Sequence, residues 1–212
     1  MKKTDLRIVV TGPTGSGKTT LVKALAQKFE LPMLNEGLKN IYACGKVYGD
    51  LTQDKNGSRV ELERAFWNWV KSYGDWADER KRLYSVHKRF IADRWEGDLL
   101  SEWLSEFSRR RNDRIDEITV KLLEDMHTKA RTFSFAIVLP PQKIVVEDRN
   151  EEGFLRNQSF TLRVRDSLLK SALVRQCRDL PIVFVPSQPF LIEKRLSYIE
   201  NVIQKLPSQT GQ

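Results

Sequence analysis

Eight residues near the amino terminus have the types and spacing to hold a phosphate chain: Gly12-Pro13-Thr14-Gly15-Ser16-Gly17-Lys18-Thr19. They match G-x-x-x-x-G-K-[ST], in which backbone N–H groups cradle phosphates. Glycine lacks the Cβ that would stop successive N–H groups from curling around an anion. Lys18 is expected to reach the β- and γ-phosphates, and the Thr19 hydroxyl to ligate Mg²⁺, with Thr20 next in the same turn. The chemistry implied is binding of a nucleoside triphosphate such as ATP. A glycine-rich turn holding Lys-Thr by chance is the alternative, and the flanking sequence opposes it. The apolar run Leu6–Val10 reads as a buried strand, and Thr20–Phe29 as a helix with Leu21, Leu25 and Phe29 near one face. The positive end of that helix would point at the loop.

Other candidate residues lie at predicted strand ends. Leu31–Glu36 reads as a short strand ending in the carboxylate of Glu36. Phe90-Ile91-Ala92 reads as a buried strand followed by Asp93-Arg94. In an open parallel sheet, ligands bind at the carboxyl ends of strands, so both sites share an edge with the loop. The segment Glu147–Asn157 is dense in charge and contains Arg149 and Arg156; Arg163 and Arg165 follow. Each has a plainer account. Glu36 could cap the next helix, Asp93-Arg94 could be a structural ion pair, and the charged segment a solvated loop. Arg109-Arg110-Arg111 suits a phosphate backbone or a solvated helix end, the second being commoner. His87 and His127 show no partner pattern.

The elements that must position these residues alternate. Leu38–Val47 reads as helical or irregular, with a polar turn from Gly49 to Gly57. Ser58 and Glu61 form a capping-box pattern at the head of a helix running to about Tyr84, with Gly74-Asp75 a candidate interruption. Its aromatic stripe of Phe66, Trp67, Trp69, Tyr73 and Trp76 has helical spacing and reads as core rather than a base-stacking surface. Helices over Leu99–Phe107 and Ile115–Ala130 precede a strand at Phe133–Leu139, stopped by Pro140-Pro141. A helix from Phe160 to about Cys177, a strand at Leu180–Val185 and a helix from Phe190 to Leu206 complete the chain. Such alternation predicts a doubly wound α/β fold with a mainly parallel sheet of about five strands.

Composition narrows the class. The 212 residues suit one domain spanning 1–212, and a hydrophobic content of 40% with five tryptophans suits a folded globule. A net charge of +8 suggests anionic partners. The two cysteines, Cys44 and Cys177, are far apart and signal neither zinc nor a disulfide framework, which fits a reduced cytoplasmic setting. No run approaches transmembrane length, so no membrane partner is expected.

The loop, Glu36, Asp93-Arg94, the strand ending in Leu139-Pro140-Pro141 and the charged segment after it occur in an order that resembles the P-loop kinases related to deoxynucleoside kinases and the ribosylnicotinamide kinase domain, a group of AAA-type ATPases and kinases. The resemblance runs over nearly the whole chain, and the P-loop is its one specific motif. It implies a P-loop NTPase fold with a lid over about 141–165, ending in a frayed tail at about 207–212. It implies ATP and Mg²⁺ as cofactors and transfer of the γ-phosphoryl group to a hydroxyl or phosphate of a small, anionic or nucleoside-like acceptor. By the same resemblance, Glu36 takes the acceptor's proton. Asp93 and Arg94 hold metal and phosphates, Arg156 stabilises the transferring group, and Pro186 and Ser187 lie near adenine. The sequence departs from the pattern at Gly37, where proline is common, and at Trp95-Glu96-Gly97, where a small polar residue is; both departures fall near the expected acceptor pocket.

Two other readings stay open. A partner-driven ATPase would use Ile144–Val146 as a strand ending in Glu147-Asp148, with the metal there and Asp93 structural. A nucleic-acid 5′-end kinase would use the basic surface and Arg109–Arg111. A homodimer is also left open.

Overall fold

The computed structural model describes residues 6–35, 37–54, 57–142, 159–187 and 191–205. Glu36, the segment 143–158 and the tail from 206 lie outside them. The chain forms two compact units. One carries the sheet, and the second is the helix pair in the span 36–86.

The sheet unit contains β1 (Arg7–Thr11), β2 (Met33–Leu34), β3 (Phe90–Asp93), β4 (Phe135–Val138) and β5 (Ile182–Phe184). Their order is β2-β3-β1-β4-β5, and every pairing is parallel. Parallel neighbours cannot be joined by tight hairpins, so helices make the crossovers. In the same unit these are α1 (Lys18–Phe29), α4 (Glu96–Phe107), α5 (Asp113–Ala130), α6 (Phe160–Gln176) and α7 (Ile192–Lys205). The expected five-stranded doubly wound sheet is therefore present, and the strands are parallel throughout.

The central strands are apolar on both faces because both are covered. Ile8, Val9, Val10, Ile91 and Ile137 are wholly buried. Ile8, Val10, Ile91 and Ile137 join Leu21, Val22 and Leu25 of α1 and Ile199 of α7 in one core. Val10 pairs with Asp93, and Thr11 with Val138. The Arg94 N–H donates to the Val10 carbonyl at 3.0 Å. The loop after β1 and the Asp93-Arg94 pair after β3 therefore emerge side by side.

Trp95 and Gly97 are a packing pair. The Trp95 ring is fully buried, edge-on to Phe133 with centroids 6.0 Å apart. It folds over Gly97, where any Cβ would collide with the indole. The departure from the family pattern at this point thus has a core role. The Trp95 N–H donates to Asp98 Oδ2 at 3.3 Å, and Glu96 and Asp98 suit the first turn of α4.

The second unit holds α2 (Lys39–Gln53) and α3 (Arg59–Val86). Helix α2 extends through the predicted start of the polar turn, past Gly49. Helix α3 runs 28 residues without a break at Gly74. The Lys71–Asp75 pair at 2.8 Å spans that point, one helical turn apart. Trp69, Tyr73 and Trp76 are buried, and Phe66 and Trp67 half-buried, as a core stripe requires. Tyr48 of α2 meets Phe66 and Trp69, each at 5.5 Å between centroids.

Candidate active site

Three glycines of the loop adopt positive φ, at 146° for Gly12, 74° for Gly15 and 85° for Gly17. A Cβ on Gly12 would lie 2.7 Å from the Leu139 carbonyl oxygen, so only glycine lets the loop leave β1 against β4. Gly17 begins α1 with no side-chain cap and no acid in the first turn. That leaves a helix N-terminus suited to an anion.

The loop meets its neighbours through specific contacts. Thr19 Oγ1 donates to Asp93 Oδ2 at 2.6 Å. This joins the last residue of the motif to the strand-end aspartate, which is buried while Thr19 is exposed. A threonine hydroxyl beside one carboxylate suits Mg²⁺, which takes one or two carboxylates and completes its shell with phosphate oxygens and water. Among the described residues there is no cluster of three acidic, histidine or cysteine side chains that would hold a metal alone.

Arg94 follows at φ 75°, a left-handed conformation that costs a non-glycine residue about 1–2 kcal/mol. Such strain persists where surrounding contacts enforce it. Here the guanidinium is buried with Glu102 at 3.5 Å and Asp98 at 3.9 Å. Asp93 faces Thr19, and Arg94 pairs with Asp98 and Glu102 of α4.

Lys18 is buried and folded onto its own loop, donating to the carbonyls of Gly12 at 2.9 Å and Pro13 at 2.8 Å. Burial first, then the positive charges of Arg94 and Lys170, bring its ammonium down to about 7, against the pull of Asp98 and Asp93. A bound polyphosphate would supply the anion that this ammonium lacks.

Two residues that the sequence did not single out brace the loop. Arg195 of α7 is buried and donates to the Ser16 carbonyl at 3.1 Å. Lys170 of α6 lies 3.5 Å from the Gly12 carbonyl. The weak apolar pattern of α6 gave no signal for Lys170. No pattern marked Arg195, which the tertiary fold alone carries to the loop.

The remaining candidates separate. Glu36, Arg149, Arg156, Glu147 and Asp148 lie outside the described residues. Arg163 is buried with its guanidinium 5.9 Å from the Phe160 ring, and Arg165 is exposed. Arg109, Arg110 and Arg111 are exposed just past α4, and Pro186 and Ser187 are exposed just past β5. No helix among the described residues is long and apolar enough to cross a membrane.

A β1–loop–α1 unit with an aspartate at the adjacent strand end, in an all-parallel sheet of this order, defines the P-loop NTPase fold. A family model described as an AAA domain matches residues 7–69. No curated protein matches the chain. Solved structures do. A deoxyadenosine kinase from M. mycoides with bound dCTP superposes with a TM-score of 0.61 at 14% identity, over 95% of this chain and all of that one. Thymidylate kinase from Candida albicans gives 0.53 at 14%, over 94% and 91%. The NadR protein in complex with NR gives 0.58 at 14%; it covers 99% of this chain, which spans 54% of that one. At such identities the likeness is one of fold, and the fold is that of P-loop kinases.

Proposed function

We propose that this chain is an ATP-dependent P-loop kinase that moves the γ-phosphoryl group to a hydroxyl or phosphate of a small nucleoside- or nucleotide-like acceptor. The observation that carries it is the 2.6 Å contact between Thr19 and Asp93 beside an intact glycine loop. In the ATPase alternative Asp93 is merely structural, with the metal at Glu147-Asp148. An Asp93 already joined to the motif threonine favours the kinase arrangement. The fold likeness to a deoxyadenosine kinase and a thymidylate kinase supports the same reading.

In this reading Thr19 and Asp93 hold Mg²⁺, which neutralises charge on the phosphates when bound. The loop N–H groups and Lys18 orient the triphosphate. Arg94, whose guanidinium pairs with Asp98 and Glu102, is assigned to the phosphates on the strength of the family resemblance. Glu36 accepts the acceptor proton and Arg156 covers the transferring group, both on the strength of the family resemblance.

The test is a panel of deoxynucleosides, ribonucleosides, nucleoside monophosphates, ribosylnicotinamide and 5′-hydroxyl oligonucleotides, each with MgATP. One small acceptor should be phosphorylated well above the background of ATP hydrolysis. If none is, and hydrolysis rises instead with a protein or polynucleotide, the ATPase reading takes its place. Phosphorylation of the oligonucleotide alone would favour the end-kinase reading.

A further inference from the structure

Helix α7 brings a buried guanidinium against the phosphate loop. Arginine is almost never fully buried unless paired. Arg195 is 4% exposed, and its donors meet neutral oxygens. Nη1 donates to the Ser16 carbonyl at 3.1 Å. With its amide oxygen turned to the guanidinium, Gln142, itself buried, accepts from Nη1 at 3.1 Å and from Nη2 as well. A Cβ on Gly17 would lie 3.3 Å from Nη1, so the fork sits directly against the backbone that starts α1. The helix carrying it is pinned. Ile199, one turn on and on the same face, is wholly buried in the core. The Tyr198 hydroxyl donates to the Phe184 carbonyl of β5 at 3.1 Å, and Glu200 meets Lys28 of α1 at 2.6 Å.

What this contact fixes follows from the peptide bond. In a planar trans peptide the carbonyl and the next N–H point in opposite directions. Drawing the Ser16 carbonyl toward α7 therefore turns the Gly17 N–H away from α7. Gly17 itself cannot hold that orientation. Its φ is 85°, and glycine takes φ of either sign about as readily, so the Ser16–Gly17 peptide can flip at little cost. Nor does a side chain hold it, because Gly17 caps α1 without a side-chain hydrogen bond. The clamp comes from 179 positions away, through Arg195.

We infer that Arg195 is a positioning residue for the donor nucleotide: by holding the Ser16 carbonyl it locks the Ser16–Gly17 peptide with its N–H toward the phosphates. The inference rests on the reading of the loop as a triphosphate site. In such loops the backbone N–H groups cradle the α- and β-phosphates, while the lysine reaches the β and γ. The contact that Arg195 secures is therefore one that ATP and ADP share. Gln142 holds the guanidinium from its other side and supports the same peptide at one remove.

Calorimetric titration with MgADP and with MgATP, without acceptor, reads the shared contact. Arg195→Met should weaken both by about tenfold and leave their ratio unchanged, as for one hydrogen bond to a charged group put out of place. In isotope-labelled wild-type protein the Gly17 amide proton should move downfield when MgADP is added, and Arg195→Met should lose that shift. Arg195→Lys keeps one donor for the carbonyl and should recover binding to within about threefold of wild type. Ile199→Val thins the core on the same face of α7. It should lower Tm yet leave both Kd values and the Gly17 shift as in wild type. If Arg195→Met fails to fold by circular dichroism, Gln142→Met serves, with both nucleotides bound about threefold more weakly and a reduced Gly17 shift. A folded Arg195→Met, or Gln142→Met in its place, with wild-type affinities or a wild-type Gly17 shift overturns the inference alone. So does a loss confined to MgATP, or an equal loss in Ile199→Val. A wild-type protein that binds neither nucleotide overturns the triphosphate reading and takes the inference with it.

Discussion

Asp93 and Lys18 place opposite demands on the same few ångströms. The Asp93 carboxylate is buried beside Thr19, and its proposed use is to draw Mg²⁺ to the strand end. Asp93→Asn keeps a hydrogen-bond acceptor for Thr19 but removes the charge. Phosphoryl transfer should fall about 100-fold or more, and the Mg²⁺ needed for half-maximal activity should rise. Unchanged Mg²⁺ dependence would move the metal elsewhere. Lys18 is depressed to about 7 in the folded chain and returns to the ordinary lysine range on unfolding. Below pH 7 both states are protonated and the folded state carries the full cost of a buried charge. Between 7 and 10.5 the folded state releases its proton first, so stability rises with pH across that window. Lys18→Met should therefore melt at higher temperature than wild type at pH 6, by on the order of 1 kcal/mol or more, and the gap should close toward pH 10. Glu36→Gln addresses the proposed base. Its kcat should drop about 10²–10⁴-fold with ATP affinity unchanged, as read from single-turnover transfer and nucleotide titration.

At the scale of elements, local packing explains several positions that look like function in the bare chain. The α2–α3 pair closes because Gly45 lets the Trp69 indole sit against the α2 backbone; a Cβ there would lie 2.9 Å from Nε1 and 3.0 Å from Cε2. Gly45→Ala gains helix propensity of roughly 1 kcal/mol but overpacks the aromatic contact by about 1–3 kcal/mol, so urea unfolding should show a net loss of about 1 kcal/mol. Gly74→Ala, in α3 with nothing within 4 Å of its added methyl, should instead gain about 0.5–1 kcal/mol. If both shift alike, the contact with Trp69 is not what requires glycine. Helix α6 shows the reverse relation. Its apolar pattern is weak because its enclosed face carries Arg163, Ser167 and Lys170, and Ser101 of α4 donates to the half-buried Asp166 at 3.1 Å. Polar groups in such a position are stable only as a connected set.

For the whole molecule, binding and stability are linked. MgATP at 100 times its Kd should stabilise the folded chain by about 2.7 kcal/mol, visible as a rise in Tm, and Lys18→Ala should lose most of that rise. No shift with MgATP would contradict the proposed donor site. The sequence alone determined a good deal. The loop from Gly12 to Thr19 was legible because phosphate binding needs glycine at fixed offsets, a local requirement that leaves its mark in order along the chain. The strands were legible because two-sided burial makes continuous apolar runs, as in Arg7–Thr11 and Phe135–Val138. The strand ending at Asp93 was legible for the same reason. What that aspartate touches was not, since its 2.6 Å partner Thr19 lies 74 positions away. Lys170 and Arg195 reach the loop across 158 and 179 positions, to the Gly12 and Ser16 carbonyls. Even Trp95 and Gly97, two positions apart in the chain and suggestive of an acceptor pocket, resolve into core packing once Phe133 is beside Trp95. Spacing along the chain records what backbone geometry demands locally. Which charges neutralise one another depends on distances between elements, and only the parallel stacking of β3 and β4 around β1, with α4, α6 and α7 on that sheet unit, decides those.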